Sequence, residues 1–441
     1  MAGRPSTREL AAYGALGLPV AMAALPIYVH VPKFYTDTIG LSLAGVGVIL
    51  LAVRILDAVQ DPLFGWWSDR RRSRGGTRWA FVAAGVPMLA LGMVGLFNPP
   101  GMGTAGLQAW LVVNLVVVYT AFSLVTVSYQ AHGAEISDDI AERTRVTAWR
   151  EGFALAGVFV ASALPEILKQ SSGERAGFSQ FSFIFVPLLF VLAAVTVRGS
   201  PPAHGSRPPA GTAPFKSFVV PLRNPPFRRL LAVFVLNGIA ASIPATLVLF
   251  FIEDVVRRPD LTAVFLVAYF AAAAGGLPGW VWLARRIGKA PAWLAAMLLA
   301  ICAFVWAFFL GPGHAPAYLA ICVMSGLALG ADLALPPSLV ADVIDEDEAR
   351  GAGRNEGAYF GLWSLTTKMN LALAAGMALP LLQGFGYAPG AENSPQALFV
   401  LAAVYALLPC VLKAMAAVAL VASPFFRQRP RDAGRERALR P

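Results

Sequence analysis

Twelve apolar runs follow one another along this chain, at roughly 10–34, 40–62, 79–97, 106–131, 149–169, 180–197, 229–252, 261–284, 290–311, 316–341, 357–383 and 396–423. Each is close to the ~20 residues that a helix needs to cross the hydrocarbon core of a bilayer. The runs are continuous and do not alternate polar with apolar residues, which excludes a transmembrane barrel. The expected fold class is an all-α polytopic membrane protein with twelve transmembrane helices. Composition agrees: 57% of the 441 residues are apolar and only 14% are charged, against about 25% charged in soluble domains.

The net charge of +10 is distributed by topology. Most of the 35 lysines and arginines fall in the terminal segments and in every second loop. The other loops hold only Lys33, Lys169, Arg175, Arg257 and Arg258. This asymmetry is the positive-inside pattern, and it places both termini in the cytoplasm of a cytoplasmic-membrane protein. No nucleic-acid site is read in it. The chain starts directly into a full-length span, so the first helix is expected to be retained. Cys302, Cys322 and Cys410 lie in apolar spans and suggest small buried side chains, with no disulfide or metal framework.

The polar stretch 198–227, rich in Pro, Gly, Ser and Ala, reads as a linker. It divides the chain into a first six-span half (1–197), a second six-span half (228–424) and a basic tail (425–441) positioned to meet anionic lipid. The halves echo each other. Gly65-Trp66-Trp67 with Arg70-Arg71 after the second span returns as Gly279-Trp280 with Arg285-Arg286 after the eighth. The acidic stretch Asp138-Asp139 after the fourth returns as Asp345-Glu346-Asp347 after the tenth. Parallel half-repeats of six spans are how the major facilitator fold is built, so two six-helix bundles are expected.

Asp57 and Asp61 interrupt the second apolar run. A carboxylate at the centre of a membrane helix costs about 2.5–3.5 kcal/mol on insertion scales, and such a group normally faces a protein interior and marks an ion or substrate path. Four residues apart, the two share a helical face, with Arg54 three residues before. Two carboxylates with one arginine leave net negative charge, which suits a proton or small cation; locking helices together is the plainer role. Pro62 frees a backbone carbonyl one turn back. Asp332 in the tenth span and Lys368 in the eleventh are each costly alone in lipid and should face the cavity, pairing with each other or reaching Asp57 and Asp61. Lys413, near the end of the twelfth span, is expected to snorkel.

An inner gate is expected where Asp69, Arg70 and Arg74 of the basic segment 69–78, together with Arg143, pair across the halves, with Asp138, Asp139, Asp342, Asp345 and Asp347 of the two acidic loops as the complementary acids; topology signalling alone is the alternative. Arg150 is a candidate for substrate hydroxyls or for the gate. Tyr28, His30, Tyr129 and Trp363 are candidate substrate contacts, with core packing as the alternative for each. No nucleotide-binding loop, metal-ligand spacing or nucleophile arrangement is present in the sequence, so no enzyme activity or cofactor is expected, and transport energy should come from an ion gradient.

At these motifs the chain resembles the glycoside–pentoside–hexuronide:cation symporter family over nearly its whole length. The resemblance is carried by Phe34-Tyr-Thr-Asp37, by the Asp57-x-x-x-Asp61-Pro62-x-x-Gly65 block, by Tyr129 through Asp139 with Arg143 and Arg150, and by Asp342-Val-Ile-Asp345 with Glu356-Gly357 and Lys368. It implies alternating access and symport of a sugar-like solute with H⁺, Na⁺ or Li⁺ by a monomer. Asp57 and Asp61 match the family's cation-site carboxylates, with Gln60 as an amide between them. Arg150 matches an arginine near the sugar, and Lys368 a lysine near both sites. The chain departs where family members grip a galactoside, with apolar residues near Ala21 and Val125. A hydroxyl expected at the cation site from the fourth helix aligns with Phe122, which favours H⁺ as the coupling ion. Related members carry lysolipids, so a less polar or exported solute is the alternative.

Overall fold

The structure, a computed structural model, describes residues 5–137, 139–203, 219–349 and 356–423. Every regular element among them is helical. Twelve helices are long and apolar enough to span a membrane: α1 (Thr7–Thr38), α2 (Leu43–Arg72), α3 (Trp79–Phe97), α4 (Thr104–Ala134), α5 (Arg145–Ser172), α6 (Glu174–Gly199), α7 (Pro225–Val256), α8 (Pro259–Ile287), α9 (Lys289–Phe309), α10 (Ala315–Asp347), α11 (Ala358–Gly384) and α12 (Pro395–Val421). The chain is thus a multi-pass membrane protein. An even number of crossings puts both ends of the bundle sequence on one face, called here the terminal face.

Local sequence explains where the helices start and stop. Ser6 caps α1 in a reciprocal box with Glu9. Ser42, Asn224 and Ser394 cap α2, α7 and α12 through their side chains, each satisfying an otherwise orphaned backbone donor. Gly173, at φ +83°, both ends α5 and opens α6, a left-handed conformation that glycine adopts without strain. Helix α2 does not stop near residue 62 as its apolar pattern suggests. It continues through Pro62 to the basic segment. The interval between the halves is shorter than the polar stretch implied, because α6 runs to Gly199, a helical turn occupies Val219–Arg223 and α7 begins at Pro225.

The two six-helix halves pack alike. In the first, α2 packs on α4, α1 on α5 and α3 on α6; in the second, α8 packs on α10, α7 on α11 and α9 on α12. Between halves, α1 runs along α7, α5 along α8 and α2 along α11. The α2–α11 seam is close: a Cβ on Gly376 would lie 2.8 Å from Leu51 Cβ, and one on Gly47 would lie 3.0 Å from Ala375 O. Small residues of this kind let membrane helices approach backbone to backbone. Leu91 and Val418 are 72% and 70% exposed; such outward apolar side chains are what a lipid-facing surface requires.

Candidate functional site

Helix α2 turns Arg54, Asp57 and Asp61 toward α4 and α11. Arg54 and Asp57 are only 3% and 2% exposed. Arg54 Nη1 donates to Asp57 Oδ2 at 3.1 Å, and its guanidinium lies between the rings of Tyr28 and Tyr119, 4.2 Å from each centroid. This sandwich holds an arginine charge in place by cation–π attraction. Asp57 Oδ1 accepts from Ser123 Oγ at 2.8 Å and from Lys368 Nζ at 2.9 Å. The Lys368 ammonium also lies 2.7 Å from Asp61 Oδ2 and 3.2 Å from Ser123 Oγ. Lys368 on α11 therefore bridges both carboxylates from the opposite half. Asp61 Oδ1 and Arg54 Nη2 are buried and make no hydrogen bond among the described residues.

Two sequence expectations change here. With Lys368 added, the cluster carries two negative and two positive charges, so it is balanced in this conformation and not net negative. The hydroxyl looked for at Phe122 is supplied one residue later by Ser123, so the reason given for preferring H⁺, a missing oxygen, does not hold. Gln60 turns aside: its Oε1 accepts from Thr120 Oγ1 at 3.0 Å, and it bonds neither aspartate. Ser123, Thr120 and Tyr119 were missed. The available signal was Thr120 and Ser123, three apart on one face of the fourth span.

The remaining candidates are dispersed. Asp332 meets neither Lys368 nor the carboxylates. It pairs with Lys413 at 2.9 Å inside the second half, where Asn237 Nδ2 and Trp293 Nε1 donate to it at 3.0 and 2.7 Å. Lys413 is 8% exposed and does not snorkel, because a carboxylate inside the bundle compensates it. Tyr129 is buried and donates to Tyr13 O at 2.7 Å, tying α4 to α1. His30 is fully buried beside Phe178, with Nδ1 3.6 Å from Glu166 Oε1. Trp363 stacks on Phe234 at 3.6 Å between centroids. Arg150 donates to its neighbour Glu151 at 2.6 Å, at the terminal-face end of α5. Of the suggested substrate contacts, only Tyr28 joins the carboxylate–lysine cluster.

The expected gate pairs across the halves are not formed by the described residues. Arg72 and Arg78 both bond Glu135 of the same half, at 2.9 and 2.6 Å, and Lys289 bonds Asp342 at 2.6 Å within the second half. Arg70 lies over the Trp66 ring, Arg74 is exposed, Asp139 caps the helix that leads into α5 and Asp345 is exposed. The Asp69 and Arg143 side chains and all of Asp138 lie outside the described residues. Cross-half pairs occur instead on the face opposite the termini, where Lys33 meets Glu253 at 2.5 Å, Gln170 donates to Asp260 O at 3.1 Å and Gln383 Oε1 accepts from Ala44 N at 2.7 Å. With that face clasped, Arg72, Arg78 and Lys289 on the terminal face find partners within their own half.

Twelve spanning helices in two like halves, with a charge cluster shared between them, define a transporter of the major facilitator superfamily. More narrowly, the chain belongs to the family described as MFS/sugar transport protein, whose model matches residues 10–425. It is 25% identical over 388 residues to the putative glycoside/cation symporter YagG of Escherichia coli (strain K12), covering 86% of this chain and 84% of that one. It is 22% identical to the sphingosine-1-phosphate transporter MFSD2B of Mus musculus, covering 99% and 93%. Among solved structures, a bacterial homolog of the human lysosomal transporter Spinster aligns with TM-score 0.71 and 16% identity over 96% of this chain and 98% of that one, a likeness of fold.

Proposed function

We propose that this protein is a cation-coupled symporter that imports a sugar-like or glycoside-like solute across the cytoplasmic membrane, as a monomer with both termini in the cytoplasm. The observation that carries the reading is the Lys368 ammonium set between Asp57 and Asp61 across the two halves. An ammonium within 2.9 Å of two carboxylates occupies the place a coupling cation would take. The cation and Lys368 therefore compete for the same charge, and cation binding frees one half from the other. We assign H⁺ as the coupling ion, because Asp61 Oδ1 is buried without a hydrogen-bond partner among the described residues and can take a proton without displacing any ligand. The printed names of relatives such as YagG, a putative glycoside/cation symporter, support the solute class.

The test is reconstitution in liposomes with a panel of glycosides and uronides, reading solute-evoked H⁺ and Na⁺ flux, with Asp61→Asn in parallel. Flux of H⁺ with solute that disappears in the variant is the expected result. Coupled flux that persists unchanged in Asp61→Asn would overturn the assigned cation site. A second reading, transport of an amphipathic solute, is favoured by the apolar cavity in the second half and would be indicated by movement of a lysolipid with no response to sugars.

A further inference from the structure

A cavity of about 120 Å³ lies within the second half, apart from the carboxylate–lysine cluster. Helices α7, α8, α9, α10 and α12 wall it, and Val29 of α1 adds a patch from the first half. The walls are apolar and aromatic, with Val248, Phe265, Tyr269, Phe270 and Phe304 among them. Besides the Tyr269 and Ser325 hydroxyls, two paired polar features interrupt them. One is the Asp332–Lys413 pair, held by Asn237 and Trp293. The other is the hydroxyl pair of Tyr318 and Tyr405, 2.7 Å apart.

An apolar protein cavity of ~150 Å³ stays dry and binds benzene, so this one matches a single ring or a short apolar chain. A sugar would meet few partners for its hydroxyls there and would leave them unsatisfied, at a cost. The ion pair is not explained by stability, because a buried pair is often no better than well-packed apolar residues. In the cavity wall it offers an arriving ring substituent one donor and one acceptor. The cavity also borders the proposed transport path. Along the α1–α7 seam, Tyr28 and Thr246 line a small pocket around Arg54, while their chain neighbours Val29 and Ala245 line this cavity.

We infer that this cavity receives the apolar aglycone of the transported solute, which makes that solute a glycoside bearing a ring or short chain in place of a free sugar. The inference rests on the symport reading above. It assigns the sugar to the carboxylate–lysine side of the seam and the aglycone to the second half.

Two measurements on the purified full chain test it. The first is saturable binding of 4-nitrophenol, with Ala328→Phe and the milder Ala241→Leu as cavity-filling variants at wall positions. The second is uptake of methyl and phenyl glycosides of the same sugars in proteoliposomes. Nitrophenol is expected to bind the wild type and to bind at least about ten-fold more weakly to the filled variants, since burying a ring is worth at least that much. The phenyl glycoside is expected to saturate at lower concentration than its methyl partner, an advantage that either filling variant removes while methyl glycoside uptake continues. Absence of saturable nitrophenol binding, or binding that both filled variants retain, overturns the inference; methyl glycoside flux in the same preparation would then leave the symport reading standing. Nitrophenol binding without flux from any glycoside overturns the symport reading, and the aglycone assignment with it.

Discussion

Lys368 Nζ lies 2.9 Å from Asp57 Oδ1, and the two residues belong to different halves of the molecule. An ion pair placed there bonds the halves as well as the charges. Breaking a buried pair by removing one partner commonly costs about 3–5 kcal/mol. Any movement that parts α2 from α11 at this level must therefore supply a replacement for the lysine.

Removing the lysine should make the protein depend on an added cation. Lys368→Met leaves Asp57 and Asp61 facing only Arg54, so its thermal unfolding temperature in detergent is expected to fall relative to wild type. Acidification should then restore part of the loss, since a proton neutralises what Lys368 neutralised. A melting curve for the variant that is insensitive to both pH and sodium would show that the carboxylates do not bind a cation.

Ser123→Ala separates the two coupling ions. The Ser123 hydroxyl donates to Asp57 Oδ1, so the variant removes one oxygen from beside the carboxylate. Proton-coupled uptake, which needs no oxygen from Ser123, is expected to persist with no change in its Na⁺ requirement. A site that used Ser123 Oγ as a sodium ligand would instead need more Na⁺ for half-maximal uptake, with little movement in pH.

The clasp opposite the termini can be loosened directly. Lys33 is held between Asp37 on its own helix and Glu253 on α7. In Lys33→Met, spin labels introduced at positions 170 and 260 should report longer and broader distances than the same labels in the parent, because this face then lacks its cross-half ion pair. Identical distance distributions would mean that the ion pair does not hold this face closed.

The Asp332–Lys413 pair should behave as a closed unit. Asp332→Asn or Lys413→Met alone strands a charge inside the second half, and each is expected to cost about 3–5 kcal/mol. The double variant should recover most of that. Thermal unfolding of the four proteins measures the coupling, and purely additive losses would show that the two charges are independent.

The fold was largely legible from residue pattern, and the site only in part. Apolar runs located every span, since a bilayer imposes the same length on each. Their ends were not legible: α2 begins after the cap Ser42 and α7 after Asn224, whereas the apolar runs start near 40 and 229. The apolar pattern misled at α2, ending near residue 62 where the helix, packed against α4 and α11, runs on through Pro62. The charged face at 54, 57 and 61 announced itself, because each charge is expensive in lipid. Hydroxyls such as Ser123 carry no comparable penalty and passed unseen. Partner choice was the weakest point. Asp332 and Lys413 lie 81 residues apart in the chain; Asp332 signalled a buried charge and Lys413 a snorkelling one, and nothing in either segment names the other. The expected gate pairs, which the described residues do not form, are hard to read for a different reason: they depend on which face is closed, and a sequence does not encode a single conformation.

The glycine contacts between α2 and α11 bear on speed. Gly47 meets backbone and the bases of side chains, and Gly376 the Leu51 side chain, so at these two points little beyond Leu51 must change rotamer when the surfaces part. On the symport reading, the waiting time between the two openings is then set at the charged points, by how often a proton or an ion frees Lys368, and mutation of the seam to larger residues would slow the cycle even with every charge in place.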